Sequence, residues 1–571
     1  MNERSAPSTP IWVADTDPNE RFALYSRGNT GEVFPHVITA LTGTLIGEPI
    51  RQGQVEVFVE MGVVRRSEIT GPSVSTGVFG GYLYMNASTM RLFGERMPGM
   101  SVREIDTQVM GDTATPPHHR AKGDRNAAAT LRLAFYAIRL LRRPSLAPLA
   151  TARADATRWL TTMPALDAAT DAQLLEWLGG FPERQGASMK RLLQWSGIAG
   201  APRGILDRLL DRPKAPPSLA NRITGGTGAV DSAQLAQRLW QLGRLVAADE
   251  HLTRSFDEGL HDIARRTQHT DLDVGIASFL HDHGHRGNDE YELATPSWSM
   301  DPTPVYASID RLRHAPIERD PTAASRRLSA DADVALSEAM KLVPRPMRRM
   351  VRRTAEVSRI GAVGRERAKD ILVLENLGAR LVLHELVSRA HQRSGPADVR
   401  AAFCVTIDEL ADFVANPPAF ADVIAQRAAQ QQYLDARIPP LWFQGRIPSP
   451  DTWPLRSESR SAPPTSGSTL HGIAVCGGIS SGPARVIHDP NDPRGLEPGD
   501  VLVCAITDPS WTPLFLSAAA VVCDSGALLS HAAIVARELG IPAVLSVPNI
   551  TTIADGTMLH VDGDAGTVRI G

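Results

Sequence analysis

The chain has 571 residues, 43% of them hydrophobic, and 60 basic side chains against 63 acidic ones, for a net charge of -3. So even a balance gives no electrostatic basis for a nucleic-acid partner or an anionic membrane surface, and the length supports two or three separate cores. No apolar run is long enough to span a bilayer and the start, MNERSAPSTP, lacks the apolar segment of a signal peptide, so a cytoplasmic location is expected. Cys404, Cys476, Cys504 and Cys523 have no metal-type spacing and read as reduced, buried thiols.

In chain order, residues 1–125 read as mixed α/β, with EVFVEMGVV and GGYLYMN as strands rich in β-branched and aromatic residues. Residues 126–455 read as mainly helical. NAAATLRLAFYAIRLL, SAQLAQRLWQLGRLV and ARLVLHELVSRAHQR repeat apolar positions every three or four residues. The Gly-rich GGTGAV at 225–230 has no Lys partner for a phosphate loop and reads as a helix connection, with Ser232 as a possible cap. Residues 456–469, RSESRSAPPTSGST, have a linker composition whose reach is about 20 Å. Residues 470–571 read as a small β/α domain: ARVIHD, DVLVCAI, AAVVCD, AVLSV and MLHVDG are strands around one helix, SHAAIVARELG. The expected class is a multidomain α+β protein.

The helix in that last domain is sharply bounded. Ser530 is placed to cap its start, Gly540 to end it, and Pro542 prevents its continuation. This puts His531 in the first turn, where partial positive charge and unsatisfied N–H donors favour a neutral imidazole and an attached phosphoryl group. Ser525, Gly526 and Ser530 are the expected phosphoryl-binding positions. By itself a histidine at a helix start also fits a simple surface role.

The stretch TDPSWTPLFLSAAAVVCDSGALLSHAAIVARELGIPAVLSV resembles the mobile phosphohistidine domain of phosphoenolpyruvate-utilising enzymes, among them pyruvate phosphate dikinase, phosphoenolpyruvate synthase and rifampin phosphotransferase. The resemblance begins near LHGIAVCGGISSGPARVI and implies that His531 is the phosphorylated residue. Two positions depart from the family pattern: Ala527 follows Gly526 where a second glycine is usual, and Cys523 replaces a threonine. The body resembles the acceptor-binding part of rifampin phosphotransferases through YSRGNTGEVFPHVITALT, HGHRGNDEYELATPSW, VTIDELADF and IPPLWFQG.

The family's ATP-grasp domain and phosphoenolpyruvate-binding barrel have no counterpart in the sequence. The expectation is therefore a separate ATP-grasp subunit that binds ATP and Mg2+, as in the two-component arylphosphate synthases that this arrangement resembles. There a phenol or alkylphenol such as cresol would be the acceptor, and aryl phosphate, AMP and phosphate the products. Two other readings stay open: a larger, antibiotic-type hydroxylated acceptor, and a non-catalytic regulatory protein with a relic carrier domain.

In the body, RERAKD places Arg365 and Lys369 on one helix face, suited to clamping a transferring phosphoryl group and similar to an Arg/Lys pair of the rifampin enzymes. HDHGHRGNDE offers His281, His283 and His285 without a diagnostic fourth ligand, so no metal site is expected. His285 is the candidate base for the acceptor hydroxyl, with Arg286 and Glu290 beside the acceptor and Glu292 orienting or pairing. Arg27, Asn29 and Glu32 in YSRGNTGEVFP are candidate acceptor contacts or turn residues. His118 and His119 follow Pro116-Pro117 and are expected in an exposed loop.

Overall fold

The 45-residue helix Arg348–Gln392 is the axis on which the body is built. It packs along the 31-residue helix Phe181–Asp211, and glycines set how closely. A Cβ on Gly364 would lie 1.9 Å from the Trp195 ring, and one on Gly361 would lie 2.6 Å from the Ala199 backbone. Only bare backbone allows that approach, which lies beside Arg365. The computed structural model describes residues 11–97, 100–110, 115–142, 144–213, 215–216, 218–227, 231–457, 464–488, 496–507, 511–526 and 530–571. The side chains of residues 107–109, 232, 513 and 531 are outside that description.

The N-terminal part and the helical part share one core. Strands β1 (Leu24–Ser26), β2 (Thr76–Phe79) and β3 (Tyr82–Asn86) form a sheet in the order β2-β3-β1-β4, whose edge strand β4 is Trp442–Gln444. Trp12, Tyr25, Tyr82 and Tyr84 are buried together with Leu372, Leu383, Phe403 and Phe443. The EVFVEMGVV strand is not formed. Residues up to Glu60 continue the helix Ala40–Glu60, which starts at a Thr39 cap and lies against helix Phe181–Asp211. Tertiary packing overrides the β-preference of its valines. GGYLYMN does supply β3, and the helices expected from the other repeats are present at 127–140, 231–248 and within 348–392.

The C-terminal unit is an eight-stranded mixed sheet ordered β5-β12-β11-β7-β8-β9-β10-β6. Its strands are β5 (Thr469–His471), β6 (Ile473–Cys476), β7 (Ile479–Val486), β8 (Val501–Cys504), β9 (Ala520–Cys523), β10 (Ala543–Leu545), β11 (Met558–Asp562) and β12 (Thr567–Ile570). β7, β8, β9 and β10 run parallel in that order, so the helix between β9 and β10 crosses one face. Among the described residues, no helix is long and apolar enough to cross a membrane.

The C-terminal unit sits on the body with its helices inward. Trp511, Phe515, Ala532, Val535 and Leu539 share one apolar cluster with Leu239, Leu252, Phe279 and Ile309 of the body. Polar ties accompany this contact. Thr227 donates to Glu538 through its backbone N–H (3.2 Å), Asn221 donates to the Ala474 carbonyl (3.4 Å), and Arg319 donates to the Ala518 carbonyl.

Candidate active site

The helix expected to hold the phosphorylated histidine runs from His531 to Leu539. Ser530 caps it, its Oγ accepting from the Ala533 N–H at 3.2 Å, and Gly540 closes it in a left-handed conformation (φ 69°) just before Pro542. Position 531 therefore occupies the first helical residue, at the positively polarised end. Ile534 and Glu538 both line a cavity of about 50 Å³ between the C-terminal unit and the body, and Arg365 lines its far side.

The turn before the helix is fixed at both ends of its described part. Ser525 N–H donates to the Ala505 carbonyl (3.0 Å), and the Ser546 hydroxyl donates to the Gly526 carbonyl (2.6 Å). A Cβ at Gly526 would lie 2.8 Å from Leu545 Cδ1, so this glycine is required by packing. Ala527, where the family pattern departs, lies outside the described residues. Cys523 is buried, its Sγ 3.5 Å from that of Cys504 on the neighbouring strand.

On the body, five of the residues singled out in the sequence meet around one turn of the long helix. Lys369 Nζ is 3.0 Å from Glu290 Oε2, and Arg286 Nε is 2.9 Å from Glu290 Oε1. These pairs are close but off the hydrogen-bond axis: among the described residues neither Glu290 oxygen has an aligned donor. His285 Nε2 is 2.7 Å from Asp370 Oδ1, and Arg153 and Arg286 also face that carboxylate. Arg365 is looser. Its ion pair with Glu366 is 3.5 Å long, and its side chain keeps 21% exposure toward the cavity.

The same helix holds the loop that carries His285 to Glu292. Asn376 and Arg380 donate to the Glu290 carbonyl, Arg380 also to that of Glu292, and His384 to that of Leu293, at 3.0–3.2 Å. Residues 376, 380 and 384 are four apart, so one face of one helix fixes the loop. Glu292 does not join the cluster. It accepts from Thr39 N–H (3.1 Å) and the hydroxyls of Thr39 (2.8 Å) and Thr42 (2.5 Å), closing the start of helix Ala40–Glu60.

Burial, then the nearby Arg286 and Arg153, pushes the pKa of His285 well below the usual imidazole value. The ring is therefore neutral. With Nε2 donating to the Asp370 carboxylate, the lone pair lies on Nδ1. That is the protonation state a general base needs.

The remaining candidates lie elsewhere. Arg27 donates to the carbonyls of Phe34 (3.2 Å) and Pro35 (3.4 Å) and lies over the Tyr82 ring, 4.6 Å from its centroid. Asn29 stands before the short helix Thr30–Glu32 without a side-chain cap bond, so this segment builds its own turn. It meets the site loop at Phe34, whose ring is 5.8 Å from that of Tyr291. A separate cavity of about 10 Å³ lies there, lined by His36, Asp289, Glu292 and Arg400 among others. His281 is exposed and His283 ends helix Asp271–His283; no group of three or more potential metal ligands exists among the described residues. His118 is half-buried against Glu95 (3.1 Å), because Glu95 gathers the arginines of that loop, while His119 is exposed.

Residues 496–566 match the family described as PEP-utilising enzyme, mobile domain, and residues 192–366 match the rifampicin phosphotransferase fourth domain. The chain joins a rifampicin phosphotransferase-like domain to a PEP-utilising mobile domain. The rifampicin-domain match ends between Arg365 and Lys369, and the mobile-domain match contains the whole helix His531–Leu539. The chain is 31% identical over 304 residues to the prodigiosin-synthesising transferase PigC of Serratia marcescens, covering 52% of this chain and 33% of that protein. It is 29% identical over 324 residues to the rifampicin phosphotransferase of Streptomyces sviceus, covering 55% and 36%. The uncharacterised phosphotransferase YvkC of Bacillus subtilis is 48% identical over 102 residues, covering 18% and 12%. The chain thus spans about a third of the first two relatives and less of the third.

Asp370, Arg153 and the mobile-domain contact were not singled out in the sequence. Asp370 closes the quoted RERAKD, but its partner His285 is 85 residues away. Its position five residues after Arg365 is the only sequence signal for it.

Proposed function

We propose that this protein is a phosphotransferase of the dikinase type, in which His531 carries a phosphoryl group from ATP to the hydroxyl of a small acceptor. The observation that carries the reading is the seating of the mobile domain: Ile534 and Glu538 of its helix line one cavity with Arg365, which shares its own helix with Lys369 and Asp370. In this reading a separate ATP-grasp subunit binds ATP and Mg2+ and charges His531, giving AMP and phosphate. The mobile domain then docks as observed. His531 delivers the phosphoryl group, and Arg365 and Lys369 neutralise the charge spread over its oxygens. Lys369 is suited to this because its present partner, Glu290, holds it without an aligned hydrogen bond. His285 takes the acceptor proton on Nδ1 while Asp370 holds the ring, and the P–N bond to His531 breaks as the P–O bond forms.

The acceptor we favour is a phenol or alkylphenol such as cresol. A small acceptor agrees with the cavity of about 50 Å³ that Arg365 lines. The alignment with rifampicin phosphotransferases over 55% of the chain supports a larger hydroxylated acceptor as the second reading. The test is incubation with an ATP-grasp partner, ATP, Mg2+ and a panel of phenols that also includes rifampicin. AMP and aryl phosphate form together under this proposal. AMP formed only with rifampicin selects the second reading, and no phosphorylated product with any acceptor removes both.

A further inference from the structure

The even charge of the whole chain conceals a local excess at helix Ala127–Leu140. That helix buries Ala129, Leu133 and Leu140 against the body. Leu131, Phe135 and Ile138, spaced four and three residues apart, form a second stripe that is 63%, 73% and 63% exposed. Among the described residues no other helix exposes three large apolar side chains, and Phe135 is the only exposed phenylalanine. An aligned apolar ridge of this kind marks a surface that something covers.

Arginines gather at the end of this ridge. Arg139 follows Ile138 directly, and Arg142 continues the spacing four residues after it. The Arg353 guanidinium donates to the Leu141 carbonyl, which joins the end of the ridge to the start of the long helix Arg348–Gln392. That start holds Arg348, Arg349, Arg352 and Arg353, with no acidic residue in its first turn. Positive charge is disfavoured at a helix N-terminus, so helix stability does not account for these arginines. The carboxylates of this region are already engaged: Glu356 pairs with Arg353 (2.9 Å) and Glu60 with Lys190 (3.4 Å). Arg139, Arg142, Arg349 and Arg352 are exposed and make no ion pair among the described residues.

We propose that this face is a peripheral docking surface for an anionic lipid bilayer. Leu131, Phe135 and Ile138 enter the headgroup layer, and the four unpaired arginines meet the lipid phosphates. Size and charge favour this occupant. Three side chains supply only a small part of the roughly 800 Å² that each partner buries in a stable protein interface, whereas a short ridge suffices at a bilayer when arginines add their attraction. A second copy of the chain is opposed by charge. Antiparallel pairing of two ridges would set Arg139 and Arg142 against Lys122 and Arg125, and Arg125 shares the carboxylate of Glu95 with Arg120. The proposal goes beyond the transfer reading and does not rest on it.

The test uses the full chain and sucrose-loaded vesicles of phosphatidylcholine with about 30% phosphatidylglycerol, beside vesicles of phosphatidylcholine alone. At about 0.1 M salt the chain sediments with the anionic vesicles only, and about 0.5 M salt releases it. Phe135→Ser weakens binding about tenfold. Arg139→Gln, Arg142→Gln, Arg349→Gln and Arg352→Gln each weaken it about fivefold. These side chains are exposed, so the variants are expected to fold. Val274→Ser, at an exposed apolar position of helix Asp271–His283, binds as the parent does. An environment-sensitive fluorophore on Phe135→Cys shifts to the blue on anionic vesicles; the four native cysteines are buried and stay unlabelled. Absence of binding at low salt, or binding that Phe135→Ser and the arginine variants leave unchanged, overturns the proposal. So does a dimer in sedimentation velocity that Phe135→Ser abolishes, because a second copy then covers the ridge.

Discussion

His285 and Asp370 are 85 residues apart in the chain, yet the ring Nε2 lies 2.7 Å from the carboxylate Oδ1, with Arg286 3.8 Å from the same oxygen and Arg153 on Oδ2. A carboxylate in this position fixes the tautomer of a buried, neutral imidazole and leaves its second nitrogen free to accept a proton. The pair joins the site loop to the long helix one residue after Lys369, so the proposed base and the proposed phosphoryl clamp share one support.

Asp370→Asn keeps the size of the side chain and removes its charge. The expected result is a fall in kcat for aryl phosphate of about a hundredfold, with KM for the acceptor little changed. Phosphorylation of His531 by the partner is expected to continue at the parent rate. A lower Tm with unchanged kcat would assign Asp370 a purely structural role.

Lys369→Met separates clamp from scaffold. Glu290 is almost fully buried and loses one of its two cations, so the variant is expected to be destabilised by about 3 kcal/mol in urea unfolding. The double variant Lys369→Met with Glu290→Gln removes the stranded carboxylate and is expected to regain part of that stability, but not transfer activity. Destabilisation equal in the single and double variants would contradict this account.

Glu375 gives a pH dependence remote from the chemistry. It is buried beside Ser188, whose hydroxyl donates to it at 2.6 Å, and burial pushes its pKa up to about 7 from an ordinary 4.5. The folded state therefore holds a proton that the unfolded chain releases earlier. Its contribution is fully present below about pH 4.5 and is lost as the pH rises toward 7, on the order of 3 kcal/mol across that window. Glu375→Gln is expected to flatten the stability profile between pH 5 and 7, measured by urea unfolding at each pH. A profile identical to the parent's would show that Glu375 stays charged in the fold.

The Ser530 cap has a measurable weight. Ser530→Ala is expected to cost about 1 kcal/mol of mobile-domain stability and Ser530→Gly only a few tenths. Hydrogen exchange of the Ala533 amide reads the loss directly, since that N–H is the one Ser530 accepts. Unchanged protection there in Ser530→Ala would remove the capping argument.

The carrier helix was legible because its signals are local: Ser530, Gly540 and Pro542 mark its ends within thirteen residues. The strand reading of EVFVEMGVV failed for the converse reason. Val57 and Val59 have local β-preference, but the Thr39 cap and the packing partner that make them helical lie outside the segment. Arg365 and Lys369 were visible as a helix-face pair, whereas Asp370 draws its meaning from a histidine in a distant loop. That Arg365 lines a cavity with Arg203 and Arg537 was not legible, since the three come from three helices far apart in the sequence.

The account stands or falls on the chemical state of one imidazole. Mass spectrometry of the peptide spanning His531, taken during turnover with an ATP-grasp partner, ATP and Mg2+ and handled without acid, is the direct measurement. An acid-labile phosphoryl group on His531 that disappears when acceptor is added is the predicted result. Product formation with that side chain unmodified throughout, or undiminished in His531→Ala, would contradict it.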